Sequence, residues 1–463
     1  MRAANDVRHG ERGPIVPTLI GRQAIVVGAG MGGLTAARAL ADYFERVVIL
    51  ESDRLPVDPL VRAGTPQGRH VHALLAGGQR ALEDLFPGFE RALAAAGAVP
   101  IRTGLDLRAE RPGFDPFPQR DLGWDNYAMS RALVEHTVRR QVENCPSIEV
   151  RQECRVEALV TGADGDRVTG VRCANAAKKA EVLSADLVID ASGRGVLTLD
   201  TLRALGRPVP EQTTIGVDLM YASAIFAIPD DAPTDWKGVF TFPGFGRASR
   251  GSLMLPLEGH RWICTVGGRH GDNPPGDEAG FMAYAKGLRT PSVYNAIRQA
   301  KRLGDIARFG FPESVYRHYE RLSEFPGGLL PIGDAICRFN PVYGQGMSVA
   351  AQEARELGRL LDRLGADPDR LAGLAPAFFQ AAAALIQTPW AGAAVPDFTH
   401  PDTRGERPAD LEQTLKFGMA LSKLAARDPA VHKLTAEVQN LLKPRSVYQD
   451  PALVQRVMAV MAE

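Results

Sequence analysis

Cysteine is scarce in this chain, charge of either sign is not in excess, and no long apolar run is present. The five cysteines among 463 residues, Cys145, Cys154, Cys173, Cys264 and Cys337, are odd in number and lack C-x-x-C spacing. That pattern excludes a disulfide scaffold, gives no zinc site, and suits a reducing compartment. Lysine plus arginine (54) equals aspartate plus glutamate (54), so there is no field for a nucleic acid backbone or an anionic membrane. The richest apolar stretch, Ala375 to Ala394, is interrupted by Gln380, Gln387 and Pro389 and is too short between breaks to span a bilayer. Residues 1–20 carry Arg2, Asp6, Arg8, Glu11 and Arg12 without an apolar centre, and read as a disordered tail rather than a signal peptide. The expectation is a cytoplasmic protein with no nucleic acid partner and no integral membrane association.

Glycine, by contrast, is abundant, and two glycine-bearing segments organise the reading. Near the N-terminus, Gly28-Ala29-Gly30-Met31-Gly32-Gly33 follows a short apolar strand (Ile25 to Val27) and opens a helix-forming run, Leu34 to Leu40. This is the context of a dinucleotide turn: Gly28 permits the bend, Gly30 lets backbone approach a pyrophosphate, and Gly33 lets helix and strand pack closely. The helix N-terminus adds unpaired N–H groups and partial positive charge. A second strand, Val47 to Leu50, ends in Glu51, placed to accept from ribose hydroxyls, with Ser52 and Arg54 beside it.

The second segment, about 300 residues on, is Gly333-Asp334 followed by Pro341-Val342-Tyr343-Gly344-Gln345-Gly346-Met347. Asp334 follows a strand, Leu329 to Ile332, and suits a ribityl chain. Gly344 and Gly346 let backbone lie against a flat ring. The next helix has apolar residues at Val349, Ala350, Ala354, Leu357, Leu361 and Leu364. A nicotinamide enzyme has no use for this segment, so the two together indicate FAD.

These residues resemble the flavoprotein monooxygenases of the para-hydroxybenzoate hydroxylase superfamily from about residue 22 to about residue 400. Ser130-Arg131-Ala132-Leu133 resembles the family's arginine helix, which would set Arg131 against the FAD phosphates. Val156 falls where such proteins touch adenine with backbone atoms. Leu187-Val188-Ile189-Asp190-Ala191-Ser192-Gly193-Arg194 resembles the middle flavin motif and brings in Asp190 and Gly193. Aromatic hydroxylases follow the Gly-Asp pair with two small residues and a histidine, whereas this chain reads Asp334-Ala335-Ile336-Cys337. The loop Thr65 to Leu75 and the stretch Phe339 to Met347 are most similar to bacterial flavin epoxidases of polyether polyketide pathways. That resemblance implies a flavin hydroperoxide passing one atom of dioxygen to a lipophilic substrate, by epoxidation or hydroxylation. The electron donor would be NADPH or NADH, bound transiently, or a separate reductase partner, since no second strand-preceded G-x-G-x-x-G follows. The alternatives are an alkene reductase similar to the geranylgeranyl reductases, a flavin halogenase, or a non-enzymatic FAD-binding module. Trp124, Trp236, Trp262 and Trp390 are isolated and make no halogenase-type tryptophan pair.

The expected fold is α/β: a Rossmann-like FAD-binding domain of the glutathione-reductase type, interleaved with a mixed β-sheet substrate domain and followed by C-terminal helices. The FAD domain would take residues 21–75, 121–205 and 326–395, including a meander over Glu149 to Val160, Arg167 to Cys173 and Glu181 to Asp190. The substrate domain would take 76–120 and 206–325, with strands at Thr214 to Phe226, Gly238 to Phe242, Ser252 to Leu257 and Trp262 to Gly267. Residues 396–463 read as helices broken at Pro429, Pro444 and Pro451. By resemblance of their loop, Arg69, His70 and His72 are the catalytic candidates. Tyr221, Phe240, Phe242 and Met254 are the candidate substrate lining.

Overall fold

The fold is that of a computed structural model, which describes residues 19–244, 246–363 and 371–463. Leu364 and all but the last two residues of the expected tail lie outside them. Five parallel strands form one sheet, in spatial order Leu329–Pro331, Leu187–Asp190, Gly21–Val27, Phe44–Leu50 and Ile148–Arg151. Period-two alternation divides its side chains between two cores. Ala24, Val26, Val47 and Ile49 meet a helical layer that includes Met31–Leu40, Ala76–Leu85, Gly346–Arg363 and Leu374–Asp397. Ile25, Val27, Val48 and Leu50 meet an antiparallel meander, Arg155–Thr161, Val168–Ala174 and Ala180–Ser184. Apart from the edge strand Ile148–Arg151, the strands are buried on both faces over their C-terminal halves and there read as continuous apolar runs.

The meander is shorter than expected. Its outer parts, Ile148–Arg151 and Leu187–Asp190, belong to the parallel sheet. The turn at Gly162–Asp166 closes the hairpin, with Gly165 at φ +73° and the Gly162 N–H donating to the Arg167 carbonyl (2.8 Å).

The second sheet has seven strands, in the order Cys337–Arg338, Arg302–Arg317, Gln212–Ala227, Arg261–Arg269, Gly251–Leu257, Gly238–Thr241 and Leu107–Glu110. Its four expected strands are present. The sixteen-residue strand Arg302–Arg317 is an addition; its exposed, charged residues hide the alternation of a half-buried strand. Helices Glu278–Lys286 and Ser292–Ile297 cover one face through Trp236, Met254, Phe281 and Val293. The opposite face carries Tyr221, Ser223, Phe240 and Thr265.

Two further expectations are corrected. Ala81, Leu82, Leu85, Phe89 and Leu93 lie in the core beside the parallel sheet, so residues 76–95 pack with that layer rather than with the mixed sheet. The apolar stretch around Ala375 to Ala394 is one continuous helix, Leu374–Asp397, that runs through Pro389. Among the described residues no helix is long and apolar enough to cross a membrane. Beyond it, Pro429 and Pro451 open helices, each capped by the preceding aspartate: Asp428 accepts from Ala430 N, and Asp450 from Leu453 N. Together with the preceding helix Leu411–Arg427, they bury Leu421, Leu424, Val431 and Val457 against Phe117.

Candidate functional site

The first glycine turn leaves the end of the central strand with no room for side chains inside it. A Cβ at Gly33 would lie 1.9 Å from the Gly28 carbonyl oxygen, and one at Gly28 (φ +100°) 2.8 Å from that of Ala191. Outside, a Cβ at Gly30 would meet nothing within 4 Å. The helix starting at Met31 has no side-chain cap, so its first N–H groups are free for a ligand. Met31 itself is buried in the core and can offer only backbone, and Gly32 sits close to Ile332 and Ala350.

Glu51 ends the neighbouring strand inside a buried charge network. It accepts from the Ala29 N–H (2.8 Å) and the Asp53 N–H (2.9 Å) and pairs with Arg62 (3.2 Å). Arg62 also pairs with Asp53 and Glu135 (2.8 Å each), and Glu135 pairs with Arg131 (2.8 Å). The Arg131 Nη1 atom is buried without a partner. Ser52, Arg54 and Arg155 line an open cleft of about 530 Å³ beside this network. Val156 lies next to that cleft at a register shift, its side chain packed on the meander core.

The other segments converge on the same crevice. Gly195 approaches the Ala335 carbonyl, and a Cβ at Gly344 (φ +65°) would lie 2.9 Å from the Ala73 Cβ. Leu75 N–H donates to Ser348 Oγ (3.0 Å). Asp190 is a fastener rather than a ligand contact: it is fully buried and accepts from Ser192 N–H and Oγ and from Thr198 N–H and Oγ1. Gly193, at φ +88°, has open space above it. Gly346 opens its helix where a Cβ would lie 3.8 Å from Asp334 Oδ1, Met347 is half-buried against the core, and Pro341 is exposed in the intervening turn.

Asp334 is solvent-accessible, yet burial raises its carboxyl to about 6. Protein atoms crowd this side chain although part of its surface stays accessible. Among the described residues its carboxylate accepts no hydrogen bond. Behind it, Glu353 accepts from the Gly333 N–H (2.7 Å), and burial raises this carboxyl to about 8. Tyr343 donates to Asp397 Oδ1 (2.8 Å), which also accepts from Asn340 Nδ2 (3.0 Å).

The histidine loop ties this crevice to the mixed sheet. His70 Nδ1 lies 2.7 Å from Ser223 Oγ, itself 2.6 Å from Thr265 Oγ1, and the His70 ring meets Tyr221 edge-on at 4.6 Å. Burial lowers His70 to about 4, so it is neutral at pH 7. His72 donates Nδ1–H to the His70 carbonyl (3.1 Å), which leaves Nε2 as an acceptor; burial, then Arg131, lowers it to about 4. Arg69 is exposed and has no ion pair among the described residues. Phe240 and Phe242 stack at 6.3 Å on the face that carries Tyr221. Met254 lies on the opposite face, under the covering helices, and is removed from the lining. Cys154, Cys173 and Glu181 lie within 4.8 Å of one another; the two cysteines pack in the core beneath the meander, where burial raises the Cys173 thiol to about 12, and Glu181 pairs with Arg151 (3.7 Å).

The family described as FAD binding domain matches residues 22–366. The chain belongs to this family of FAD-binding flavoproteins. It is 33% identical over 356 residues to Protein Rv3254 of Mycobacterium tuberculosis (strain ATCC 25618 / H37Rv), covering 73% of this chain and 72% of that one. It is 24% identical over 343 residues to Squalene monooxygenase 1,1 of Brassica napus, across 73% of this chain and 62% of the relative's length. The flavin-dependent brominase Bmp2 shares the fold, with a TM-score of 0.65, 15% identity, and coverage of 95% of this chain and 98% of its own.

The crevice fits FAD. An uncapped helix end, open space over Gly30 and an orphaned guanidinium atom on Arg131 match an anionic pyrophosphate, and the unpartnered Asp334 carboxylate matches a polyol. Sequence reasoning missed Arg62, Glu135, Glu353 and the Asn340–Asp397 pair. Arg62 stands eleven positions after Glu51 in a loop without periodicity, and Asp397 ends an apolar helix. Neither carries a local signal.

Proposed function

We propose that this flavoprotein is a monooxygenase that transfers one atom of dioxygen to a lipophilic, natural-product-like substrate, by epoxidation or hydroxylation. The observation that carries the reading is the union of an FAD crevice with an apolar sheet face through one neutral, buried histidine loop. The likeness to a squalene monooxygenase supports a lipophilic alkene as substrate. Bound FAD would supply oxygen activation, with electrons from NADPH or NADH or from a separate reductase.

In this reading the backbone at Gly30 to Gly33 and the Arg131 guanidinium hold the pyrophosphate, Glu51 orients the ribose, and Asp334 holds the ribityl chain. The loop Tyr343 to Met347 would hold the flavin ring. His70 fastens the loop to Ser223 and so excludes water, while the neutral His72 offers an acceptor without bringing a charge into the cavity. Tyr221 and Phe240 position the double bond.

The test is release of FAD from denatured protein, followed by oxygen uptake with NADPH, NADH or an added flavin reductase and a panel of lipophilic alkenes. Uptake stimulated by an alkene, with product heavier by one oxygen and no halide requirement, is expected. A halide-dependent product, or a saturated product formed without oxygen, would contradict the proposal.

A further inference from the structure

Arg111 is an arginine without an acid. It follows the strand Leu107–Glu110, and among the described residues its side chain makes no ion pair and no hydrogen bond. Its Nε is buried without a partner. The guanidinium carbon lies 4.6 Å from the Phe117 ring centroid and 5.3 Å from that of Phe242, so two aromatic rings fix it. Surrounding protein desolvates it enough to lower it from the ordinary guanidinium value, while the residue as a whole keeps accessible surface.

The neighbouring charges do not compensate it. Glu110 points to the other face of the sheet, where Arg108, Thr241, Thr290 and Ser292 already donate to it. Asp115 is paired with Arg289. From the C-terminal helices comes His432, lowered to about 4 by burial, then by Arg120 and Arg111, and hence neutral at pH 7. Arg120 donates to the carbonyls of Ala425 and Ala426. Only Nε is cut off from water, so the terminal nitrogens, which no protein group occupies among the described residues, stay free to meet an anion.

Its position suggests which anion. Ala109 pairs with Phe240, so Ala109, Arg111, Phe240 and Phe242 share the face that carries the histidine loop. From Thr265, beneath that loop, to Phe240 is two strand spacings, roughly 10 Å. Along that face Phe240 packs beside Val71, Leu107 and Leu253, and Arg111 stands at its far end.

We infer that Arg111 is the anion-recognising group for the substrate, and that the substrate is a lipophilic carboxylate whose head group meets the guanidinium that Phe117 and Phe242 hold. The inference deepens the monooxygenase reading and rests on it for calling the ligand a substrate. It would also place the C-terminal helices in substrate selection.

The experiment is calorimetric titration of the FAD-loaded protein, without turnover, with decanoate, decan-1-ol and inorganic phosphate. Wild type is expected to bind decanoate roughly ten- to hundredfold tighter than the alcohol, the scale of hydrogen bonds to a charged group. Arg111→Gln should abolish that preference, and Arg111→Lys should keep part of it. Equal affinity for both probes, no binding of either, or phosphate binding as tightly as decanoate would overturn the inference. Because nothing is turned over, a failed oxygen-transfer assay with intact decanoate preference would count against the proposed reaction and not against Arg111.

Discussion

The Tyr343 hydroxyl donates to Asp397 at 2.8 Å, and this bond ties the loop after Gly333–Asp334 to the end of the helix Leu374–Asp397. Asp397 is fully buried, accepts from Asn340, and lies 3.3 Å from Arg269 on the mixed sheet. One carboxylate thus joins the flavin-side loop, the helical layer and the sheet. Asp397→Ala would strand three donors and should cost on the order of 3 kcal/mol in urea unfolding of the FAD-loaded protein. Asp397→Asn should cost less, since an amide still accepts. Equal stability of wild type and Asp397→Ala would show that the junction carries no weight.

Arg62 is the hub of the other junction. Replacing it with leucine leaves Glu51, Asp53 and Glu135 facing one another without their shared cation, and the expected loss is about 3 to 5 kcal/mol. Chemical denaturation of the apoprotein checks this, because the network exists within the protein alone.

Much of the cofactor crevice was legible in sequence because close backbone packing demands glycine, and glycine is visible. Gly28, Gly33 and Gly344 each stand where a Cβ would collide. Arg62, Asp397 and Arg111 were not legible, because each has a decisive partner far along the chain, Glu135, Asn340 and Phe242 at 73, 57 and 131 positions, and the nearer contacts lie in segments without periodicity. Alternation identified the central strands of the mixed sheet but not which face serves the site, so Met254 and Tyr221 could not be told apart. The arginine-rich edge of Arg302–Arg317 concealed a whole strand for the same reason: its pairing is set by the neighbouring strand, not by its own pattern.

Glu353 should make stability depend on pH. Its folded value is raised from 4.5 to about 8, so the uncharged carboxyl contributes stability that is fully present below pH 4.5 and lost as pH rises through 8. Glu353→Gln keeps an acceptor for the Gly333 N–H and removes the titration. Thermal unfolding from pH 5 to 9 should show wild type losing stability, on the order of a few kcal/mol, relative to the glutamine variant. Parallel curves for the two proteins would contradict the assignment.

His70 is expected to act by fastening rather than by carrying protons. His70→Ala should increase peroxide release per NADPH consumed and leave FAD content unchanged, since its contacts are to Ser223 and Tyr221. The pH profile of turnover between 6 and 8 should not move, because a group lowered to about 4 does not titrate there. A profile shifted within that range would make His70 a proton carrier.

The proposed reaction places one atom of dioxygen into a lipophilic substrate, and isotope-labelled dioxygen follows that atom. Mass spectrometry of the product after turnover in labelled dioxygen and ordinary water should show a single labelled oxygen in an epoxide or alcohol. Label confined to water or peroxide, with a product that has gained hydrogen or halogen instead, would contradict the account.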